Sequence, residues 1–597
     1  MRNLKRALSL ALAAIMLIGM MVVSASAVSY NDLTDKDQIV NKDAVSMLVS
    51  LGIIEGKPDG SYGPTENVDR AQMAKMLSVI MNKGVDNSAL YQSVNSGLVD
   101  VNTNWAKGHI NYCYTTGIIA GRGNGTFDPS ATVTALEAAK MLLVAVGYDP
   151  AIEGFEGADW AINVSVRADE QGIFEGFTKD LSAPLNRDDA ALLIYNALDV
   201  EMIQSYTTNN YPIAYSDHRT ILADKYGVIK VQGVVVANEW ASLASDDGDA
   251  ALKEGKTTIY NGEGIFSTTG NTTVSKEDAS LKTQTFNVST PVDMLGKTVN
   301  LYIKKTTILA DSTVYGDPVV SDVNTVVTTG ETVLYSGAKD PQVDYDKLLG
   351  ENGLTDKDAK YFWNYNSGKY IPNTTEKYGD KTANVKGATL TIIDNNGDGE
   401  VDYVLSVEKA LADITSVNSK KETVTVRTLG TLDNKDVVGY EDMAKEDVVL
   451  YVQYGGRTYL EKPEVVTGEM EHFNVKGTEK YMTVGGEKYK ADGLKTNART
   501  EVVKFDVTEC DKANGVQFET SYNFYLDDYG NVIAFEEVEA AAKNYALVLD
   551  SAFSTNMLNT SGQVKVLLPD GTTKTYELNW DNSVKSWKDE DNSALDT

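Results

Sequence analysis

An internal repeat near the N-terminal end constrains the fold of this chain more than any other feature. The block Gly52-Ile53-Ile54-Glu55-Gly56 recurs 65 residues later as Gly117-Ile118-Ile119-Ala120-Gly121, and Asp59-Gly60-Ser61-Tyr62-Gly63-Pro64 recurs at the same offset as Asn124-Gly125-Thr126-Phe127-Asp128-Pro129. A more divergent third copy follows 55 residues on, where Trp160-Ala161 matches Trp105-Ala106 and Pro184 matches Pro129. A fixed period indicates supersecondary units that pack on one another, so the sequence predicts three related units.

Each unit is predicted to be a helix, a Gly-rich turn, an extended loop and a second helix, because the spacing of Ala44, Val45, Leu48 and Leu51 has the helical period and glycine ends it. The second helices begin with the spacing of a capping box, at Asp69-Arg70-Ala71-Gln72, Thr134-Ala135-Leu136-Glu137 and Asn186-Arg187-Asp188-Asp189.

Arg70 and Arg187 occupy the first helical position in two of these units. At that position an arginine would stand beside unpaired backbone N–H groups and the positive end of the helix dipole, which together favour a bound anion. The alternative is that both arginines are ordinary solvated surface charges. The residue pattern alone leaves both interpretations open.

These blocks together resemble S-layer homology domains. The resemblance rests on Tyr30-x-Asp32, Leu98-Val99-Asp100-Val101, Trp105-Ala106, the Gly-Ile-Ile-x-Gly and Asp-Gly-Thr-Phe-x-Pro blocks, and the Thr-Arg-Ala-Glu-like helix starts, and it covers residues 28–200. Such domains usually occur in threes, as they do here. The resemblance implies a helical bundle with pseudo-threefold symmetry, whose grooves bind secondary cell-wall polysaccharide that commonly carries a pyruvate ketal.

The binding residues implied by the resemblance are basic, aromatic and acidic side chains of the repeats. An arginine can hold a carboxylate through two hydrogen bonds, and a sugar face can stack on indole. The alternative for the tryptophans is ordinary core packing. The predicted polysaccharide-binding residues, with Arg70 ranked first and Lys57 and Arg187 next, are Arg70, Arg187, Lys57, Trp105, Trp160, Asp32, Asp100 and Arg122.

Several positions depart from the family pattern. The second unit has Ala135 in place of the motif arginine, and the first has Val40 where the Trp-Ala pair should start. The third unit replaces the Asp-Gly-Thr-Phe block with Phe177-Thr178-Lys179-Asp180-Leu181. We therefore expect that not all three grooves bind.

The first 27 residues have the order of a secretory signal peptide, with three basic residues, an apolar run from Ala7 to Val23, and Ala25-Ser26-Ala27. A membrane anchor is the weaker alternative, and we expect no membrane span after cleavage. Removing this segment would move the formal charge from −31 to −34, which argues against nucleic acid as a partner.

Cys113 and Cys510 are predicted to be buried thiols, and three scattered histidines indicate neither a zinc site nor an acid/base centre.

Beyond residue 200 the helical periodicity gives way to short Val/Thr/Tyr-rich runs, which predict several all-β domains of the sandwich or barrel type. Hairpins are predicted at 527–531 and 569–571, and a helical insert near 345–362. The strand candidates are 228–236, 388–393, 422–426, 448–454 and 545–549. The predicted organisation is a signal peptide (1–27), repeat 1 (28–90), repeat 2 (91–150), a divergent repeat 3 (151–200), a β-rich region with an acidic loop (201–410) and a β-rich C-terminal region (411–597).

The acidic loop places oxygen-bearing side chains at alternate positions around a glycine, as in the first nine places of an EF-hand loop. The twelfth place is Leu405 instead of glutamate, and strand-like residues flank the loop. Calcium is the predicted cofactor, and the alternative is a polar hairpin that needs no ion. The predicted calcium ligands are Asp394, Asn396, Asp398, Glu400 and Asp402.

The residue patterns leave two classes of function. In the first, the chain is a structural component of a bacterial cell wall or S-layer, anchored by its repeats and assembling laterally through its β-domains. In the second, the same anchor displays an adhesin or an enzyme, of which a polysaccharide hydrolase with two placed carboxylates is the most plausible. No nucleophile elbow, zinc-helix motif or phosphate loop is present, so we expect no catalytic residues.

Overall fold

The protein is described here from a computed structural model. The structure describes residues 30–243, 251–262, 282–304, 312–334, 343–367, 384–477, 479–538, 546–555, 560–568, 571–581 and 586–588. The predicted signal peptide lies outside the described residues, as does part of the 569–571 hairpin. No helix in the described ranges is long and apolar enough to cross a membrane.

The first part of the chain is helical, with two main helices in each repeat. The helices are α1 (Lys42–Ser50), α2 (Arg70–Met81), α3 (Lys107–Thr115), α4 (Ala135–Val146), α5 (Trp160–Glu170) and α6 (Arg187–Leu198). Capping boxes begin α2 and α4, as the sequence predicts, through Asp69 with Gln72 and Thr134 with Glu137. At the start of α6 the Asn186 side chain accepts from the backbone N–H of Asp189.

The three repeats close into a ring with pseudo-threefold symmetry. At its centre the N–H of Val68 donates to the carbonyl of Leu185, the N–H of Leu185 to Val133, and the N–H of Val133 to Val68, at 2.8, 2.7 and 2.9 Å. Around this centre α2 packs on α3, α4 on α5 and α6 on α1, so each second helix lies against the next repeat. The helical bundle implied by the family resemblance is confirmed.

The core of the repeats continues into the five-stranded sheet that contains residues 228–238, 257–260, 283–286, 298–304 and 313–320, which is called the first β-sheet below. One apolar cluster joins buried residues of all three repeats to Leu222, Val228 and Tyr302. Gly316 of the sheet sits against α1, where a Cβ atom would lie 3.2 Å from the Cα of Met47, and Ser46 donates to Asp317 at 3.2 Å. The repeats and this sheet therefore share one hydrophobic core.

Strands dominate the chain after residue 200, which confirms the all-β prediction for this part. The strands before residue 409 are β1 (Ile203–Tyr206), β2 (Pro212–Ala214), β3 (Val228–Asn238), β4 (Thr257–Tyr260), β5 (Thr283–Phe286), β6 (Thr298–Lys304), β7 (Thr313–Val320), β8 (Thr325–Thr329), β9 (Val333–Leu334), β10 (Val343–Asp344), β11 (Lys360–Trp363), β12 (Asn366–Ser367), β13 (Thr389–Asp394) and β14 (Tyr403–Val407). They form two five-stranded sheets, in the orders β5-β4-β3-β6-β7 and β12-β11-β14-β13-β8, and two small two-stranded sheets.

The helical insert is shorter than expected. Helix α7 (Tyr345–Glu351) has a side-chain cap from Asp344, but the residues after it form β11. Strand β11 pairs parallel with β14, between Lys360 and Tyr403 at one end and Trp363 and Ser406 at the other. Aromatic residues of this segment enter a sheet because their apolar neighbours there bury them.

The strands after residue 409 are β15 (Ala410–Asn418), β16 (Thr423–Val426), β17 (Gly430–Asp433), β18 (Val437–Val438), β19 (Val448–Tyr454), β20 (Arg457–Glu461), β21 (Val465–Glu469), β22 (His472–Asn474), β23 (Tyr481–Val484), β24 (Glu487–Tyr489), β25 (Lys495–Thr496), β26 (Val503–Lys504), β27 (Ser521–Leu526), β28 (Val532–Glu537), β29 (Leu547–Thr555), β30 (Thr560–Leu567), β31 (Thr573–Asp581) and β32 (Ser586–Lys588). Antiparallel sheets follow the orders β21-β27-β28-β26, β22-β23-β24 and β29-β30-β31-β32. The predicted strand at 448–454 has the observed bounds of β19.

By its internal contacts the chain divides into two compact units. The first comprises residues 1–384, 388–408 and 452–459, and the second 385–387, 409–451 and 460–597. Within the second unit, Asp492 and the 5 %-exposed Asp527 both lie beside Gly387, where a Cβ atom would meet Asp527 Oδ2 and Asp492 Oδ2 at 2.5 and 3.2 Å. Asp492 Oδ2 is a buried atom without a hydrogen-bond partner. Burial, and then the charge of Asp527, raise the pKa of Asp492 to about 8.

Candidate functional site

Arg70, the first-ranked binding residue, is buried at the junction between repeats 1 and 2. Its side chain is only 4 % exposed, and its guanidinium lies 4.4 Å from the centre of the Phe127 ring. Nε donates to the carbonyl of Phe127 at 2.8 Å, and Nη2 donates to the carbonyl of Ala120 at 2.9 Å. Burial, and then the positive charge of Arg122, lower the pKa of Arg70 to about 10, which leaves it charged at neutral pH.

Arg187 makes the equivalent contacts at the junction between repeats 3 and 1. Its guanidinium lies 4.7 Å from the centre of the Tyr62 ring, and Nε donates to the carbonyl of Tyr62 at 2.9 Å. The contact of Nη2 with the carbonyl of Glu55 is longer, at 3.4 Å, and the side chain is half-buried. Each arginine therefore fastens its own helix to the loop of the next repeat, a role that the sequence analysis did not assign.

The backbone N–H groups at these helix starts are already paired, contrary to the sequence-based expectation. The N–H of Arg70 donates to Ala131 and that of Ala71 to Pro129, while the N–H of Gln72 is taken by the Asp69 cap. In α6 the N–H groups of Arg187 and Asp188 donate to Glu66 and Pro64. The ring of repeats supplies these carbonyls, so bound anions would have to contact side chains.

A second basic residue accompanies each arginine. The loop that Arg70 fastens carries Arg122, and the loop that Arg187 fastens carries Lys57 at the equivalent position, 65 residues earlier. Their side chains are 37 % and 32 % exposed. Each forms an ion pair, Arg122 with Glu137 at 2.9 Å and Lys57 with Glu66. These two junctions thus combine one arginine that is packed on an aromatic ring with one more accessible cation.

The third junction, between repeats 2 and 3, lacks both of these cations. Ala135 takes the place of the arginine, and Phe177 takes the place of the accessible cation. At this helix start the backbone N–H of Leu136 donates to the carbonyl of Leu181 at 3.1 Å. Lys179 lies in the same loop, and its ammonium pairs with Asp189 at 2.5 Å. The geometry therefore separates two similar basic junctions from a dissimilar third.

Two aspartates play a structural part in the loops. Asp100 accepts from the N–H of Phe127 at 2.9 Å and of Asp128 at 2.7 Å, and Asp35 accepts in the same way from Tyr62 and Gly63. Burial would raise the pKa of both carboxyls, but these hydrogen bonds outweigh it and lower the pKa. The equivalent of Asp100 is thus Asp35 instead of the predicted Asp32, and the 65-residue offset applied to Asp100 identifies it.

The two tryptophans lie in different settings. Trp105 is 58 % exposed, and its ring and that of His109 form an edge-to-face pair with 6.4 Å between centroids. Trp160 is half-buried, and the Lys140 ammonium lies 5.7 Å from the centre of its ring. An exposed indole face suits a sugar ring, so Trp105 has the more accessible face of the two.

The acidic loop follows β13 and is closed by its own hydrogen bonds. Asp394, 1 % exposed, accepts from the N–H groups of Asn396, Gly397 and Gly399 at 2.8 to 3.1 Å. Asp402 accepts from Asn395, and Glu400 pairs with Lys357. Among the described residues no group of three or more acidic, histidine or cysteine side chains is placed to hold a metal. Calcium binding by this loop stays a prediction.

Ser78, His109 and Asp86 form a chain with the residue types of a hydrolase triad. Ser78 Oγ lies 2.6 Å from His109 Nδ1, and His109 Nε2 lies 3.6 Å from Asp86 Oδ2. However, Ser78 and His109 are each 4 % exposed, and Ser78 Oγ also donates to the carbonyl of Lys75. The chain joins α2 to α3 and leaves a substrate no access to the hydroxyl.

Cys113 and Cys510 are buried free thiols, as predicted.

Comparison with known proteins supports the family resemblance. The S-layer homology domain family matches residues 29–74 and 99–139. A cell surface protein of Thermoanaerobacter kivui is 29% identical over 273 residues, which are 45% of this chain and 32% of that protein. An S-layer protein of Bacillus licheniformis is 33% identical over 113 residues, which are 19% of this chain and 12% of that protein.

Enzymes also carry similar segments. The exoglucanase XynX of Acetivibrio thermocellus is 29% identical over 192 residues, which are 30% of this chain and 17% of that enzyme. The chain spans about a third or less of the length of these curated relatives. The family match and the surface-protein relatives together place the chain at the cell wall or cell surface.

Proposed function

We propose that this cell-surface chain, with its S-layer homology domains, is a structural component held non-covalently on an anionic secondary cell-wall polysaccharide by its repeats. The observation that carries the proposal is the recurrence of one basic arrangement at two junctions. Arg70 with Arg122, and Arg187 with Lys57, occupy equivalent positions of the ring. At the first junction the charge of Arg122 acts on Arg70, and like charges held close together are relieved by an anion between them. A carboxylate is an anion of suitable size.

In this mechanism the two cations of a junction have different tasks. The arginine that is packed on the aromatic ring, Arg70 or Arg187, holds the loop that carries the second cation and contributes its positive charge. The accessible cation, Arg122 or Lys57, binds the sugar carboxylate in exchange for its present partner, Glu137 or Glu66. A pyruvate ketal would supply such a carboxylate. Because the third junction has neither cation, it contributes no anion site.

The β-rich remainder is the outward-facing part of the component in this proposal, and it takes part in lateral assembly. The alternative is that the remainder is a displayed enzyme, as relatives such as the exoglucanase suggest. The hydrogen-bonded pair of Ser78 and His109 does not favour that alternative, because both side chains are buried between helices.

The proposal is tested by co-sedimentation of the mature chain with purified cell-wall sacculi before and after extraction of the secondary polysaccharide. Because the repeats share their core with the first β-sheet, the whole chain should be used instead of a fragment ending at residue 200. We expect binding to sacculi to disappear with the polysaccharide. Equal binding to extracted and unextracted sacculi would overturn the proposal.

A further inference from the structure

The loop of repeat 2 that carries Arg122 also contains an asparagine followed by a glycine, Asn124-Gly125. Both residues are exposed, and the backbone N–H of Arg122 donates to the carbonyl of Thr126 at 2.8 Å, which closes the loop around them. Asparagine is a chemically labile residue, because the backbone nitrogen of the next residue can attack its side-chain amide. A following glycine has no side chain to hinder that attack.

Hydrogen bonding distinguishes Asn124 from the other asparagines that precede a glycine, which are Asn261, Asn352, Asn396 and Asn514. In three of these pairs the glycine N–H donates to a nearby oxygen at 2.8 to 3.2 Å, so the attacking nitrogen is held in place. In the pair at Asn261 the side-chain NH2 donates to the carbonyl of Gln232 at 2.9 Å. Among the described residues, neither the N–H of Gly125 nor the side-chain NH2 of Asn124 has an acceptor.

The side-chain carbonyl of Asn124 is polarised for this reaction. Its Oδ1 accepts from the N–H of Thr126 at 3.1 Å and from the Thr126 hydroxyl at 2.6 Å. Negative charge develops on Oδ1 when the nitrogen of Gly125 attacks Cγ, and donors directed at that oxygen stabilise the charge. The loop therefore leaves both reacting groups free and supports the oxygen between them.

The reaction needs only water besides the chain itself. A bond forms between the nitrogen of Gly125 and Cγ of Asn124, and the bond from Cγ to the side-chain nitrogen breaks. That nitrogen leaves as ammonia, with the proton of the Gly125 N–H. Water then opens the resulting five-membered imide at one of its two carbonyl groups, which gives aspartate or isoaspartate.

Repeat 1 shows that this loop accommodates the aspartate product. The equivalent residue, 65 positions earlier, is Asp59, which accepts from the N–H of Ser61 at 3.0 Å and from its hydroxyl at 2.7 Å. Those hydrogen bonds, and more weakly the charge of Lys57, lower the pKa of the Asp59 carboxyl. A carboxylate at this position thus keeps the hydrogen bonds of the loop and acts on the accessible cation that the loop carries.

We propose that Asn124 deamidates spontaneously, and that the carboxylate so formed weakens the hold of the junction between repeats 1 and 2 on anionic polysaccharide. The second part rests on the proposed function. Arg122 already faces Glu137 at 2.9 Å and Asp128 at 3.9 Å, so a third carboxylate two residues away further reduces its attraction for an anion. Anchoring through this junction thus declines as the chain ages.

The chemical part is tested by peptide mass spectrometry after incubation of the folded mature chain at neutral pH. Trypsin releases residues 123–140 and 348–357, each of which contains one asparagine and no glutamine. Asn352 is the matched control, because it is exposed and precedes a glycine, but its side chain and the N–H of Gly353 both donate hydrogen bonds. We expect Asn124 to convert at least five-fold faster than Asn352 in the folded chain, with isoaspartate among the products, and at a similar rate in denaturant. Equal rates in the folded chain would overturn the proposal.

Variants test the consequence for anchoring. Asn124→Asp should keep the wild-type unfolding midpoint and bind sacculi that retain their polysaccharide at least two-fold more weakly, while Asn352→Asp, which adds the same charge outside the repeats, should bind as the wild type does. Unchanged binding of Asn124→Asp would overturn the effect on anchoring. Equal binding of the wild-type chain to extracted sacculi would overturn that effect together with the proposed function, whereas the rates at Asn124 and Asn352 decide the deamidation by themselves.

Discussion

Arg70 Nε lies 2.8 Å from the carbonyl oxygen of Phe127, so a side chain of repeat 1 is enclosed by the loop of repeat 2. Arg187 repeats this relationship with Tyr62 across the junction where the ring closes. These two arginines thus stabilise the contact between repeats and add positive charge to the proposed anion sites. The two roles can be separated by experiment.

Replacing Arg70 should destabilise the protein. The variant Arg70→Met leaves the carbonyls of Ala120 and Phe127 without their charged donor, and we expect the free energy of unfolding to fall by about 2–4 kcal/mol. The matched control is Arg122→Met, an exposed cation whose loss should change stability by ~0.5 kcal/mol or less. Chemical denaturation followed by circular dichroism measures both variants. Equal stabilities of Arg70→Met and Arg122→Met would contradict the role of Arg70 in fastening its helix to the loop of repeat 2.

The sequence predicted much of the helical repeats, because the residues that begin and end their helices act locally. The caps Asp69 and Thr134 and the glycine turns act within a few residues of themselves, so the helix starts were correct. The burial of Arg70 could not be foreseen, since its partners Ala120 and Phe127 come from another repeat and approach only when the ring closes. The pairing of the helix N–H groups was missed for the same reason.

The docking of repeat 1 on the first β-sheet should depend on Gly316. This glycine has φ +68°, and a Cβ atom there would lie 3.2 Å from the Cα of Met47. We expect Gly316→Ala to lower the free energy of unfolding by about 1–3 kcal/mol, because both the backbone conformation and the contact become strained. Gly255→Ala, at φ +73° with open space around it, controls for the backbone effect alone. Equal losses in the two variants would show that the contact with Met47 is unimportant.

The Asp492 carboxyl should make stability depend on pH. Its pKa is raised to about 8 in the folded chain, above that of an unfolded aspartate, so folding favours the protonated form. Its stabilising contribution is complete below pH ~4 and is lost as the pH rises toward 8. Asp492→Asn should therefore become more stable relative to the wild type as the pH increases from 5 to 9. Denaturant titrations at these pH values measure the difference, and a constant difference would contradict this account.

Calcium should stabilise the acidic loop if the sequence-based prediction is right. Binding raises the midpoint of thermal unfolding in proportion to the logarithm of ligand excess over Kd. We expect a higher midpoint in millimolar calcium than in chelator, and we expect Asp398→Ala to remove the difference while Asp358→Ala keeps it. Identical midpoints with and without calcium would contradict calcium binding. They would support the alternative of an ion-free polar hairpin, closed by the hydrogen bonds from three backbone N–H groups to Asp394.

The sequence located this loop but could not decide its occupancy. Alternating Asp, Asn and Gly residues form both calcium loops and ion-free turns, because their side chains accept backbone N–H groups in either case. Lys357 pairs with Glu400 from 43 residues away, and local spacing contains no sign of that contact.

The most direct test of the anchoring account is the affinity of the double variant Lys57→Gln with Arg122→Gln for sacculi that retain their polysaccharide. The control is Lys42→Gln with Lys83→Gln, which removes the same charge from exposed positions of repeat 1. The account predicts that the double variant keeps the wild-type unfolding midpoint but binds sacculi at least ten-fold more weakly, while the control binds as the wild type does. Equal weakening in both would reduce the effect to net charge, and unchanged binding in the double variant would contradict the proposed role of the two basic junctions.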